Sequence, residues 1–180
     1  MAALRAGVVW IQYREKEKSR REMYREALRL RELTLEHNAT FVVNDHADIA
    51  LAVEADGVHL GQEDLPLAEA RRILGERIIG ISTHSLSEAL DAAAGGADYI
   101  GFGPVFPTIT KNAGEPRGVE MVREIKRHVK IPLVAIGGIS LENLPIVLEA
   151  GADAVAVASA ILRGNLYENA RSFVMGLRSR

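Results

Sequence analysis

Three short stretches carry residue types that could act together on a phosphorylated substrate. In the first, QYREK closes an apolar run and turns polar at Gln12, Arg14 and Lys16. Alternate side chains of an extended segment share a side, so these three face one way. Two cations and an amide suit a cluster of phosphate or pyrophosphate oxygens, Arg as a bidentate fork and Lys as a point charge. A charged rim at the start of a solvated helix uses the same residue types. The other two stretches, VVNDHAD and HLGQEDLP, each end an apolar run on a carboxylate, Asp45 and Asp64. A pair of carboxylates completed by water and phosphate oxygens is the usual way to hold Mg²⁺. Singly, each Asp also reads as a helix cap or an Asx turn, Asp64 just before Leu65-Pro66 in particular, and Asp48 reads as a helix-start residue.

A second set of residues fits a phosphate group or a lid over one. GPVFPTITKNAG is long for a connection, stiffened by Pro104 and Pro107 and supplied with donors at Thr108, Thr110 and Lys111. It reads as a lid whose Lys111 grips phosphate, or as a Pro-stiffened surface loop. AIGGIS and AVASAI lead from apolar runs into helices, where Gly137 and Gly138 allow close backbone approach and Ser159 offers donors to a phosphate. His37, His46, His59 and His128 have no clear partner spacing and read as structural or solvent-exposed.

The elements that must position these groups alternate. Short β-branched runs cover 8–13, 40–43, 57–60, 78–82, 99–102, 133–136 and 154–157, with helical periods at 19–36, 67–74, 86–95, 118–128, 141–150 and 159–177 and a short turn of helix at 48–54. Such alternation implies a parallel sheet covered by helices. In the first long helix Met23, Ala27, Leu30 and Thr34 form the inward stripe, which leaves most of the arginines on a solvated face. GGADYIGF and AGADAVAV repeat a small-residue helix end, an Asp and an apolar strand.

A closed (β/α)8 barrel needs about eight strands, and seven runs are present. Residues 2–7 resemble the end of a helix entering the first run. The expected fold is therefore a single TIM-type (β/α)8 barrel domain over 1–180, lacking the first strand and most of the first helix. Its unpaired strand edges invite a homo-oligomer through the incomplete barrel edge. In such a barrel the loops after the strands build the site, and nearly all of the unusual polar residues fall there, with Ser82 and His84 after the fourth run. This convergence points to an enzyme.

Composition narrows the chemistry. The chain has 180 residues, a formal net charge of −2, 26% charged residues and no cysteine. Without cysteine there is no thiolate nucleophile and no sulfur-ligated metal. The near-neutral balance offers no global field to attract nucleic acid or an acidic membrane. No apolar stretch approaches the length of a membrane helix and the opening residues lack a signal-peptide cleavage region, so the expected location is the cytoplasm.

The set QYREK, VVNDHADIALAVEADGVHLGQEDLP, GISTHS, GADYIGFGPVFPTITK, VAIGGIS and AGADAVAVASAI resembles the thiamine phosphate synthase (thiamine-phosphate pyrophosphorylase) family from about residue 4 to the end of the chain. The resemblance implies a Mg²⁺-dependent joining of 4-amino-2-methyl-5-pyrimidinylmethyl diphosphate to thiazole phosphate, giving thiamine phosphate and pyrophosphate. By the same resemblance Gln12, Arg14 and Lys16 would hold the diphosphate with Asn44 beside them, and Asp45 and Asp64 would hold Mg²⁺. Ser82 and Lys111 would contact the diphosphate or leaving group, and Thr108, Thr110, Gly138, Ala158 and Ser159 would position the thiazole phosphate. The diphosphate would depart before the thiazole nitrogen attacks, so Arg14, Lys16, Ser82 and Lys111 would act on developing negative charge and no protein nucleophile is required. Two alternatives stand beside this reading. A related thiazole tautomerase would use His84 as acid/base, and a shortened barrel could serve as a catalytically silent ligand-binding module.

Overall fold

A computed structural model describes residues 1–108 and 114–178. Seven strands lie side by side in chain order, every neighbouring pair parallel: β1 (Trp10–Tyr13), β2 (Thr40–Asn44), β3 (Gly57–Leu60), β4 (Ile78–Thr83), β5 (Tyr99–Phe102), β6 (Leu133–Ile136) and β7 (Ala154–Ala156). Around them run α1 (Ala2–Arg5), α2 (Arg20–Glu36), α3 (Ala47–Ala52), α4 (Leu67–Leu74), α5 (Leu86–Ala94), α6 (Gly118–His128), α7 (Leu144–Glu149), α8 (Ser159–Leu162) and α9 (Leu166–Arg178). No helix among the described residues is long and apolar enough to cross a membrane.

Strand alternation sorts the side chains onto two faces. Phe41, Val43, Val58, Leu60, Ile79, Ile81, Ile100 and Phe102 join one apolar core with Met23 and Ala27 of α2 and with Val122 and Ile125 of α6. The intervening positions, Trp10, Gln12, His59, Gly80, Ser82 and Tyr99, face the inside of the curved sheet. Both faces are covered, which is why these strands read as continuous apolar runs rather than a polar alternation.

Helix boundaries follow local chemistry. Ser19 and Glu22 form a reciprocal capping box that starts α2, and the Ser85 hydroxyl accepts the Glu88 N–H at the start of α5. Two expectations need adjusting. The helix expected from 141 begins at Leu144, because Ser140 and Asn143 exchange side-chain and backbone hydrogen bonds in a preceding turn. The single helix expected over 159–177 is two, α8 and α9. Gly164 at φ +73° turns the chain, and the Asn165 side chain then accepts the Glu168 N–H to start α9.

Among the described residues β1 and β7 are the two ends of the sheet, and no strand bridges them. The helical layer is less open there, since α1 packs on α9. Trp10, inward-facing on β1, remains 41% exposed although its ring meets Tyr99 edge-on at 5.4 Å.

At the N-terminal ends of the strands one device occurs three times. Asp56, Asp98 and Asp153 precede β3, β5 and β7, and each uses its backbone and its carboxylate on a single residue of the preceding strand. Asp56 donates its N–H to the Phe41 carbonyl and accepts the Phe41 N–H at Oδ2, 2.7 Å. Asp98 does the same with Ile79, 2.7 Å, and Asp153 with Leu133, 2.8 Å. Each carboxylate also meets a cation from the covering helix: Arg31 bidentately at 2.9 and 3.1 Å, Arg71 at 2.6 Å and Lys126 at 2.7 Å. The GGAD and AGAD repeats are two of these clamps, and the Glu54-Ala55-Asp56 segment is the third.

Candidate active site

At the C-terminal ends of the same strands acidic groups are arranged differently. Asn44 ends β2, buried, and the chain turns at Asp45 in the left-handed region, φ +62°. The Asp45 N–H donates to the His59 carbonyl of β3 at 2.8 Å, and its carboxylate takes Lys16 Nζ at 3.0 Å. Past β3 the chain closes a tight turn in which the Gly61 N–H donates to Asp64 Oδ2 at 2.6 Å. Asp64 is thus a turn residue, as one sequence reading had it. Its carboxyl also hydrogen-bonds that of Asp45, so the turn presents it to the site.

Two acidic groups in contact cannot both ionise freely. Burial pushes Asp64 up, the Gly61 N–H opposes that, and the Asp45 carboxylate adds to the rise, so the net shift is upward. Burial also raises Asp45, but the hydrogen bonds from Lys16 and Asp64 outweigh it and hold Asp45 below the usual carboxylate range. Of the two, Asp64 is therefore the harder to ionise, and Asp45 is the one that pairs with the Lys16 ammonium group.

Beneath this pair lies a polar layer inside the sheet. His59 is 8% exposed, with Nε2 at 2.9 Å from Ser82 Oγ on β4 and Nδ1 at 2.9 Å from the Tyr99 hydroxyl on β5. The Gln12 side chain of β1 lies close enough to the same hydroxyl to act on it electrostatically. Burial pushes the His59 imidazole down to about 4, so it is neutral around pH 7. Glycines make the room: a Cβ on Gly80 would lie 2.0 Å from the Tyr99 ring, and one on Gly101 2.8 Å from the His59 ring. His59 was expected to be structural or exposed; it is buried and bridges two residues of the layer. The signal lay in strand phase. His59 alternates with Gly57 and Gly61, and opposite it the inward positions of β4 and β5 are also glycine-rich, a pattern that leaves space for a ring.

The remaining candidates are distributed along the same mouth. The Ser82 carbonyl accepts Gln62 Nε2 at 2.6 Å. His84 ties two loops together, its Nδ1 at 2.7 Å from the Gly103 carbonyl and its backbone N–H donating to Glu88 at 2.7 Å. Gly137 and Gly138 have positive φ, and a Cβ on either would strike the 104–107 segment within 2.6 Å. Close loop packing therefore accounts for both glycines, whatever else they touch. Ala158 and Ser159, exposed, open α8 after β7. Arg14 is exposed just past β1, and Thr108 is partly buried. Thr110 and Lys111 lie outside the described residues.

Gln12, Lys16, Asn44, Asp45, Asp64 and Ser82 thus gather on neighbouring strands at one end of the sheet. Among the described residues no cluster of three or more His, Asp or Glu could hold a metal ion by itself. A cation between Asp45 and Asp64 would have two protein carboxylates and would draw its other ligands from water and a ligand's oxygens. That donor set is the one Mg²⁺ favours, since it keeps several waters and takes one or two carboxylates plus substrate phosphates. The space between the two carboxyls is where such a cation would fit.

Comparison with known proteins places this geometry. The family model described as thiamine monophosphate synthase matches residues 1–161. The thiamine-phosphate synthase of Chloroflexus aurantiacus is 52% identical over 162 residues, covering 89% of this chain and 75% of the relative. That of Shouchella clausii is 51% identical over 162 residues, covering 89% and 78%. Among solved structures, thiamine phosphate pyrophosphorylase from Pyrococcus furiosus superposes with a TM-score of 0.94 at 45% identity, over 99% of this chain and 87% of that one.

Proposed function

Because the chain belongs to the thiamine monophosphate synthase family, we propose that it is a transferase joining 4-amino-2-methyl-5-pyrimidinylmethyl diphosphate to thiazole phosphate, with Mg²⁺ held by Asp45 and Asp64. The observation that carries this reading is the pair of carboxyls, Asp45 and Asp64, that meet beside Lys16 at the strand ends. When bound there, a divalent cation supplies positive charge to the diphosphate oxygens.

In this reading Gln12, Arg14 and Lys16 bind the pyrimidine diphosphate, with Asn44 at its side. The C–O bond to the diphosphate breaks first, its electron pair leaving with pyrophosphate. The thiazole nitrogen then gives its lone pair to the pyrimidinylmethyl carbon. Arg14, Lys16, Ser82 and Lys111 stabilise the charge that gathers on the departing oxygens. Thr108, Thr110, Gly138, Ala158 and Ser159 seat the phosphate of the thiazole. No described residue needs to act as a nucleophile.

The same reading has the protein working in the cytoplasm on small phosphorylated substrates, without nucleic acid or membrane; a formal net charge of −2 supports the last point. It also takes the fold as a (β/α)8 barrel without its first strand and most of its first helix, able to associate with a second copy at the seam between β1 and β7. The unpaired edges of those strands support this. The test of function is pyrophosphate release. It should require both substrates and Mg²⁺, and it should be lost in Asp64→Ala; turnover unchanged by that substitution would overturn the metal assignment.

A further inference from the structure

We propose that Glu15 is a positioning residue whose carboxylate accepts backbone N–H groups of its own loop and so holds Lys16 turned toward Asp45, where an anionic ligand is met. The inference deepens the reading above, and it rests on that reading only for what the ligand is.

Between β1 and α2 the chain carries two cations assigned to a diphosphate, Arg14 and Lys16, interleaved with two acids, Glu15 and Glu17. An acid beside such a site repels the ligand, so Glu15 needs another task to explain it. Its Oε1 accepts the Lys16 N–H at 2.7 Å and the Glu17 N–H at 2.8 Å. Chemistry fixes the direction of both bonds, since an amide N–H only donates and an ionised carboxylate only accepts. These two N–H groups belong to the two peptide planes that flank the Lys16 Cα. Each plane is rigid, so one carboxylate oxygen that holds both also sets the direction in which the Lys16 side chain leaves the backbone.

The rest of the loop is tied at both ends. Lys18 Nζ is 3.7 Å from Glu15 Oε2 and donates to Glu26 of α2, which also accepts the Tyr13 hydroxyl at 2.8 Å. The Ser19 and Glu22 capping box closes the far end. Lys18 is thus the cation of this stretch that the fold uses, and Lys16 is the one presented to the site. Exposure agrees: the Glu15 side chain, 22% exposed, lies against the loop, whereas that of Lys16, 55% exposed, stands out to reach Asp45 at 3.0 Å. An ion pair that open contributes little, so Lys16 and Asp45 do not fix the loop by themselves; the brace from Glu15 does.

Calorimetric titration of Mg²⁺ with inorganic pyrophosphate separates positioning from plain charge, because the two predict opposite signs. If charge were all that mattered, removing an acid beside an anion site would tighten binding. The brace predicts that Glu15→Ala weakens it about tenfold, the size of one lost hydrogen bond to a charged group. Glu15→Gln keeps an oxygen acceptor and drops the charge, and should bind at least as well as wild type. In a Lys16→Ala background Glu15→Ala should cost nothing further. Unchanged or tighter binding by Glu15→Ala, a Glu15→Gln as weak as Glu15→Ala, or an additive loss in the double variant overturns the proposal. Amide hydrogen exchange gives an arm that needs no ligand. Corrected for the intrinsic rates of each sequence, the Lys16 and Glu17 N–H groups should lose protection in Glu15→Ala and regain most of it in Glu15→Gln; protection unchanged in Glu15→Ala overturns the proposal whatever the protein catalyses. If wild type itself does not bind pyrophosphate with Mg²⁺, the reading of the ligand fails, and exchange still decides the brace.

Discussion

The two ends of the sheet use the same residue types to opposite effect. At the N-terminal end Asp56, Asp98 and Asp153 each meet one cation and one backbone N–H, and each ties a strand to its neighbour and to a helix. At the C-terminal end Asp45 and Asp64 face each other, with Lys16 as the cation recorded beside them. The first arrangement gives each carboxylate a backbone N–H and a cation, so its charge is matched within the fold. The second sets two acidic groups against each other, which holds Asp64 above the usual carboxylate range. A carboxylate held by one turn bond and opposed by a second acid remains available to a ligand, as the proposed cation site requires.

The comparison breaks most sharply if the two kinds of Asp are removed in turn. Asp64→Ala should lower turnover by about 10³-fold, or about 4 kcal/mol in the barrier, through the loss of charge on the metal and leaving group. Its stability should fall by no more than the lost Gly61–Asp64 turn bond costs, about 1 kcal/mol. Steady-state pyrophosphate release and thermal melting check the two halves.

A second test lies just under the mouth. The His59 value, about 4, is below that of the unfolded chain, so the neutral form is the one the fold favours. Its contribution to stability is complete above the unfolded value of about 6.5 and is lost as pH falls from there through about 4, up to about 3 kcal/mol. Denaturant melts over that range should show wild type losing stability more steeply than His59→Gln. Parallel curves would contradict the burial argument.

Asp98→Ala should act the other way from Asp64→Ala. It strands the N–H of Ile79, a fully buried residue, and leaves Arg71 without its carboxylate, which costs about 1–2 kcal/mol in stability. The value of kcat should stay within about twofold, since this Asp is at the far end of the strands from the chemistry. The smallest effect expected is a gain. Asp64→Asn removes the acidic competition without emptying the turn, so the metal-free protein should melt slightly higher at pH 7.

Much of this was legible in the residues. Strand and helix order follow from hydrophobic period, and QYREK, ND and GQED pointed to the mouth because polar residues cluster after apolar runs. The clamps were half visible as the repeated Gly-Ala-Asp, but their partners Arg31, Arg71 and Lys126 sit in helices among many other charges and carry no local signal. The arginines of α2 were read as a solvated face, and Arg31, whose side chain is 16% exposed, is where tertiary pairing overrode that. The partners of His59 were not legible because they are 23 and 40 residues away, on other strands. Only the phase of its strand hinted at an inward ring. The break between α8 and α9 turned on one glycine that periodicity alone passes over.

The central claim is that the acidic pair at the strand ends is a cation site and the clamps are not. Calorimetric titration of Mg²⁺ with inorganic pyrophosphate into wild type, Asp64→Asn and Asp98→Asn at pH 7 tests it directly. Binding should be clear in wild type, weakened at least about tenfold in Asp64→Asn, equivalent to about 1.4 kcal/mol, and unchanged in Asp98→Asn. Equal binding by wild type and Asp64→Asn, or binding indifferent to Mg²⁺, would contradict the account.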